Sequence, residues 1–260
     1  MKHLFSNEGQ HALAAVLALK PLLAFDFDGT LAPIVARPDD VRVSTAVTHR
    51  LAQLAQWRPV AIVTGRRVAD VTPRLGFEPA YIVGSHGAED PELANAAAHD
   101  VALASARTYL VAQTAALEDA GVTFEDKGSS MALHYRLARD REKALQCIAA
   151  TVANLGPGLH TFGGKFVVNL VAEHAPDKGD AVQRLVARSE SGAALFVGDD
   201  VNDEAVFEIA PDHWLTVRIG RDSPGSRAQF FLDSHAEMAH MLQLMIDLRP
   251  ATKTNSQIGL

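Results

Sequence analysis

The chain has 260 residues, 48% hydrophobic, 21% charged and 6% aromatic, which excludes fibrous, collagen-like and disordered classes and allows one large domain or two smaller ones. Lys and Arg number 24 against 31 Asp and Glu; the net charge of −7 argues against nucleic acid or an anionic membrane surface as the main partner but leaves an anionic small molecule open. Cys147 is the only cysteine, so an internal disulfide and a zinc ribbon are excluded, and a reducing compartment fits.

No run of about 18 apolar residues exists, so no transmembrane helix is expected. Ala12–Leu19 reads as an amphipathic helix, because cleavage after it as a signal sequence would cut into the next apolar run; a cytoplasmic protein is expected. Leu22–Phe27, Val60–Thr64, Ala80–Gly84 and Ala193–Gly198 have the short apolar character of buried parallel strands. Helical spacing follows the first (Val47, Leu51, Leu54) and the fourth (Val206, Phe207), which implies right-handed crossovers and an α/β fold with a doubly wound parallel sheet.

The middle of the chain differs. Val101–Ala120 reads as a helix stopped at Gly121, and Val122–Lys127 with Ser130–Leu137 as a hairpin through Gly128. Leu145, Ile148, Val152 and Leu155 mark a second helix ending at Gly156-Pro157. Leu159–Phe162 and Lys165–Val171 form a second hairpin through Gly163-Gly164. This is an α-β-β-α-β-β insert over residues 101–172, with residues 1–100 and 173–260 forming the α/β core. Its boundaries are expected in Glu89–Asp100 and Ala172–Asp177, and the polar tail after Arg249 is expected to fray. Met238, Met241, Leu242 and Met245 read as core; His235 and His240, five apart, do not share the helix face that a zinc-protease motif needs.

Four segments carry chemistry. Asp26-Phe27-Asp28-Gly29-Thr30 closes the first strand and places two carboxylates at the edge where open α/β sheets bind ligands. Thr64-Gly65-Arg66 ends the second strand with a hydroxyl and backbone N–H groups at a helix start. Lys178-Gly179-Asp180 opens a later helix. Gly198-Asp199-Asp200-Val201-Asn202-Asp203-Glu204 packs four carboxylates into six residues directly after a buried strand. Such density asks for a hard divalent cation, and magnesium is favoured over zinc because no Cys/His ligand set accompanies it.

In this order, the four segments resemble the haloacid dehalogenase superfamily of aspartyl phosphotransferases. Val83-Gly84-Ser85-His86-Gly87-Ala88-Glu89 and the insert resemble the trehalose-6-phosphate phosphatase family and its cap domain, as do the stretches Gly128–Arg136 and Gly164–Val168. Two positions depart from that family: Asn169 stands where a Glu is usual, and Asn202 where a Thr is usual.

The resemblance implies a core of this superfamily with an inserted α+β cap, and magnesium-dependent hydrolysis of trehalose 6-phosphate through an aspartyl-phosphate. In the implied catalytic set, Asp26 is the nucleophile, Asp28 the acid and base, and Thr64 and Lys178 hold phosphate. Asp26, the Asp28 carbonyl, Asp199, Asp200 and Asp203 are implied around the metal. Gly65, Arg66, Ser85, His86, His134, Arg136, Lys165 and Asn169 are implied to meet the substrate, with His86 or Glu89 at the hinge. A sugar phosphate is the expected partner, without nucleic acid or membrane, and a monomer is expected. Other readings are a phosphatase for sucrose phosphate or a glycosyl-phosphoglycerate, a receiver-type switch, and an inactive sensor of the same fold. A receiver needs only one small domain and leaves the insert without a role. The intact reactive side chains weigh against the sensor.

Overall fold

The computed structural model of the chain describes residues 1–35, 40–92, 96–221 and 224–249. The expected fraying of the tail therefore lies outside the described residues, as do residues 93–95 of the first expected boundary. The strands are β1 (Lys2–His3), β2 (Leu22–Phe25), β3 (Val60–Val63), β4 (Tyr81–Val83), β5 (Thr123–Asp126), β6 (Met131–His134), β7 (Leu159–Gly164), β8 (Val167–Ala172), β9 (Ala194–Gly198), β10 (Leu215–Ile219) and β11 (Phe230–Leu232). Between them run α1 (Asn7–Ala18), α2 (Thr45–Ala55), α3 (Val68–Leu75), α4 (Ala96–Ala112), α5 (Thr114–Asp119), α6 (Arg141–Ala153), α7 (Lys178–Arg188), α8 (Glu204–Ile209) and α9 (Met238–Asp247). No helix among the described residues is long and apolar enough to cross a membrane.

Two sheets result. One is wholly parallel, in the order β1-β11-β10-β9-β2-β3-β4; the other is antiparallel, in the order β5-β6-β8-β7. The fold is therefore α/β, with a separate antiparallel sheet formed by the segment between β4 and α7. Every residue of β2, β3 and β9 is buried, as central parallel strands covered on both faces require. The four Met and Leu residues of the α9 stripe are all buried in the larger core. A second, smaller core joins Leu103 and Leu110 of α4, Met131 and Leu133 of β6, Ala144 and Ile148 of α6, and Leu170 of β8. Each sheet thus has its own apolar cluster.

Local chemistry sets the element ends. Ser6, Ser44 and Asp140 accept the orphan N–H groups that open α1, α2 and α6. Asp177 and Asp180 form a reciprocal capping box at the start of α7, which fixes the backbone from which Lys178 projects.

The structure corrects several details read from the sequence. The single helix over 101–120 is two, because the Thr114 hydroxyl turns back onto the carbonyls of Val111 (2.9 Å) and Leu110 (3.4 Å), and Gln113 interrupts the helix there. The second hairpin turns at Lys165-Phe166, since Gly163 and Gly164 remain in register with Val168 and Val167. Phe166 accepts a left-handed φ of 65°, offset by the Arg141 guanidinium lying 4.3 Å over its ring and by an edge contact with Tyr135. Leu145 is exposed; Ala144 and Ile148 carry the buried stripe of α6 instead. Leu137, assigned to a strand by its sequence pattern, lies beyond β6 and is 81% exposed. β1, β10, β11 and α3 are too short or too mixed to stand out in the sequence.

The α6 assignment is testable by urea denaturation. Ile148→Ala should cost about 2–5 kcal/mol, and Leu145→Ala should stay within about 0.5 kcal/mol. Equal costs would contradict this packing of α6.

Candidate active site

The site forms where β2, β3 and β9 end and α7 begins. Asp26 directly follows β2, and its N–H donates to the Val197 carbonyl of β9, which holds the turn at the sheet edge. Gly29 has φ 85°, and a Cβ there would fall 2.1 Å from Asp199 Oδ2, so only glycine lets this backbone pass so close to that carboxylate.

Lys178, the first residue of α7, is buried between two acids. Its Nζ donates to Asp26 Oδ1 and to Asp203 Oδ1, each at 2.7 Å. The other oxygen of Asp203, Oδ2, accepts the backbone N–H groups of Asp199 (2.8 Å) and Asp200 (2.9 Å). One fully buried carboxylate thus ties the acidic loop to the lysine, and the lysine ties both to Asp26. Burial alone would lower the Lys178 pKa; Asp203 and Asp26 outweigh it and hold the ammonium charged.

The acids are not fully compensated. Asp26, Asp199 and Asp203 can each place an oxygen within 4.8 Å of the others, and among the described residues one ammonium, that of Lys178, is bonded to them. Burial, reinforced by Asp203 and Asp199, raises the Asp26 pKa well above the ordinary carboxylate range despite Lys178. Burial with Asp203 and Asp200 pushes Asp199 up to about 7, against the opposing pull of Lys178 and Lys165. Asp199 Oδ1 is buried and meets no hydrogen-bond donor among the described residues. An all-oxygen donor set with excess negative charge and an orphaned carboxylate oxygen fits a hard cation such as magnesium.

A cavity of about 620 Å³ opens over this floor. Asp26, Asp28, Gly65, Arg66, His86, Asp199 and Asp200 line its parallel-sheet side, and His134, Arg136, Lys165 and Asn169 line the antiparallel-sheet side. The fold therefore brings eleven of the sequence-derived candidates to one space. Thr64, Ser85, Lys178 and Asp203 are buried beside it without forming its lining.

Several candidates have partners at rest. Arg66 grips both oxygens of Asp28 (2.6 and 2.8 Å) and also Asp70 (2.7 Å). Thr64 Oγ1 accepts the Arg66 N–H, which leaves its hydroxyl proton to donate elsewhere. Ser85 Oγ donates to Glu89, and Glu89 also accepts the N–H of Val68. Asp200 accepts the Val201 N–H and caps the turn Val201–Asp203. Arg136 donates to the Val35 carbonyl (2.8 Å), joining the antiparallel unit to the loop after β2. His86 sits edge-on to Phe162, and burial followed by repulsion from Lys127 and Lys178 keeps its imidazole neutral. Its ring lies so close to Gly65 that a Cβ at 65 would meet it at 2.3 Å.

The cavity is also lined by residues outside the sequence candidates, Glu125 and Lys127 of the antiparallel unit among them. Glu125 meets the His134 ring at 2.7 Å, and Lys127 Nζ donates to the Gly65 carbonyl at 3.0 Å. Period-2 spacing along β5 was the available signal for Glu125, because it shares a face with Thr123, the residue paired with His134, while Lys127 follows the strand's end. His3, Asp233 and Glu237 also cluster, but His3 Nδ1 accepts the Phe5 N–H, so its proton sits on Nε2 and donates to Glu237. That ring has no free lone pair for a metal.

The family model described as trehalose-phosphatase matches residues 24–234. A trehalose-phosphate phosphatase of Mycobacterium avium is 34% identical over 245 residues, covering 87% of this chain and 62% of that protein. Its counterpart in Mycobacterium marinum is 34% identical over 236 residues, covering 85% and 60%. The chain thus spans about three-fifths of the length of these curated relatives. The solved C-terminal domain of C. albicans trehalose-6-phosphate phosphatase shares its fold, with a TM-score of 0.77 at 21% identity over 92% of this chain and 96% of that one.

The uncompensated acids make a pH prediction for metal-free protein. The folded state keeps the Asp199 proton up to about pH 7, whereas the unfolded chain releases it near the ordinary value of 3.8. Across that window the folded state binds more protons, so its stability falls as pH rises. Thermal melts in EDTA should show Tm falling toward neutral pH, with Asp199→Asn flattening the slope. Parallel profiles for the two proteins would contradict the burial of this charge.

Proposed function

The chain belongs to the trehalose-phosphatase family, and on that premise we propose that it hydrolyses trehalose 6-phosphate to trehalose and phosphate, using magnesium and an aspartyl-phosphate on Asp26. The observation that carries this reading is the Asp26–Lys178–Asp203 chain at the cavity floor, with Asp199 uncompensated beside it.

Phosphate-monoester hydrolysis is among the slowest uncatalysed reactions, so positioning and charge neutralisation must supply most of the acceleration. Lys178 occupies Asp26 Oδ1 and leaves the second oxygen to attack phosphorus. The new O–P bond forms as the bond to the sugar oxygen breaks, and Asp28 delivers a proton to the departing oxygen. Water then attacks phosphorus with Asp28 as base, the bond to Asp26 breaks, and phosphate leaves. At rest Arg66 grips Asp28, so acid–base work asks that carboxyl to swing out of the fork. The incoming dianion competes for the same guanidinium and supplies the exchange.

Thr64, with its hydroxyl proton, and the Gly65 N–H receive phosphate oxygens. Asp26, Asp199 and the Asp28 carbonyl would hold magnesium, which when bound offsets the repulsion between a carboxylate nucleophile and a phosphate dianion. Asp203 has both oxygens engaged and serves to position Lys178 and the acidic loop, and Asp200 shapes that loop.

Residues 101–172 act as the cap, set on a catalytic core of residues 1–100 and 173–260. Glu125, Lys127, His134, Arg136, Lys165 and Asn169 offer the sugar donors and acceptors from the cap side. Asn169 supports a second reading, the same chemistry on sucrose phosphate or a glycosyl-phosphoglycerate, since an amide there replaces a carboxylate acceptor.

Magnesium-dependent phosphate release from a panel of esters decides between them. Trehalose 6-phosphate should be preferred over sucrose 6-phosphate and p-nitrophenyl phosphate, with activity abolished by EDTA. Asp26→Asn should lower kcat by at least about a thousand-fold. Lys165→Ala should lose far more kcat/KM on the trehalose ester than on the small aryl ester. Equal rates on all esters would keep the chemistry and discard the substrate.

A further inference from the structure

We propose that Arg218 is a positioning residue that holds the backbone of the acidic loop so that Asp199 faces Asp26; this rests on the reading of Asp199 as a magnesium ligand. Arg218 lies on β10, paired in register with Gly198 of β9, and its side chain is only 11% exposed. Its Nη2 donates to the Asp199 carbonyl at 2.8 Å, and its Nη1 to the Asp200 carbonyl at 3.4 Å. Glu204 also holds the guanidinium, with Oε1 2.7 Å from Nη1, and its other oxygen accepts the Arg227 N–H at 2.9 Å.

The loop is therefore clamped through both kinds of backbone group. Asp203 takes the N–H groups of Asp199 and Asp200, and Arg218 takes their carbonyls. The peptide joining Asp199 to Asp200 is thus held at its carbonyl by Arg218 and at its N–H by Asp203, which keeps the Asp199 carboxylate where it crowds Asp26 and Gly29. The planar fork of arginine suits this task, because one rigid group reaches two carbonyls and a carboxylate together.

Charge and position make opposite predictions. A guanidinium acting only as a nearby positive charge repels a divalent cation, so neutralising it would tighten magnesium binding. A guanidinium that holds the loop in place does the reverse, because its loss frees Asp199 and weakens binding.

Calorimetric titration of substrate-free protein with magnesium separates the two, with melts in EDTA reporting stability alone. Arg218→Gln should weaken magnesium binding about ten-fold, and Arg218→Lys, which keeps the charge without the fork, by a smaller factor. The loss should remain when dissociation constants are compared at a temperature where both variants are fully folded. Either folded variant binding magnesium as tightly as wild type, or more tightly, overturns the assignment; if Arg218→Gln does not fold, Arg218→Lys decides alone. Wild-type protein that binds no magnesium overturns the underlying reading of the site.

Discussion

The buried ammonium of Lys178 is the constraint around which the rest is arranged. Taking a lysine out of water costs several kcal/mol, and the cost is recovered only if both carboxylates meet it with good geometry. Asp26 comes from the end of β2, Asp203 from the turn after β9, and Lys178 from the first turn of α7. Three elements distant in sequence must therefore arrive within hydrogen-bond reach of one atom. The close approaches at Gly29 and Gly198, where a side chain would strike Asp199 or Asp203, follow from the same demand. Removing one partner would strand a buried charge, which costs about 3–5 kcal/mol in comparable pairs.

What stabilises that ion chain also leaves the site strained electrostatically. Asp203 is neutralised by Lys178 and by two backbone N–H groups, while Asp199 keeps a bare oxygen and an elevated pKa. Folding holds these acids together through Lys178, Arg218 and the capping box of α7, and thereby gathers the oxygens of Asp26, Asp199 and Asp203 in one place. The antiparallel unit contributes from above, through Arg136 on the Val35 carbonyl and Lys127 on the Gly65 carbonyl. Both contacts land on loops that carry the site, so the antiparallel unit and the parallel-sheet floor line one cavity.

Much of this was legible in the sequence because it rests on local signals. Central parallel strands must be apolar throughout, which made the strands beginning at Leu22, Val60 and, one residue after the expected Ala193, Ala194 visible, and strand-end acids beside glycines marked the site. Signals spread over distant segments were not legible. Arg218 gains its meaning from carbonyls 18 and 19 residues away. Glu125 and Lys127 gain theirs from facing His134 and Gly65. The turn at Lys165-Phe166 was masked by two glycines that look like a turn but stay in the ladder, while a phenylalanine takes the strained position because Arg141 covers its ring. Leu145 misled for a similar reason: hydrophobicity alone does not say which of two adjacent residues faces the core.

The central claim is that Lys178 poises Asp26 to take the phosphoryl group itself. The most direct measurement is to quench the protein during turnover of trehalose 6-phosphate, reduce any acyl phosphate with borohydride, and map the products by mass spectrometry. The account predicts homoserine in place of aspartate at position 26 and at no other carboxylate. Phosphate release with Asp26 left unmodified, or homoserine at another position such as Asp28 or Asp199, would contradict it.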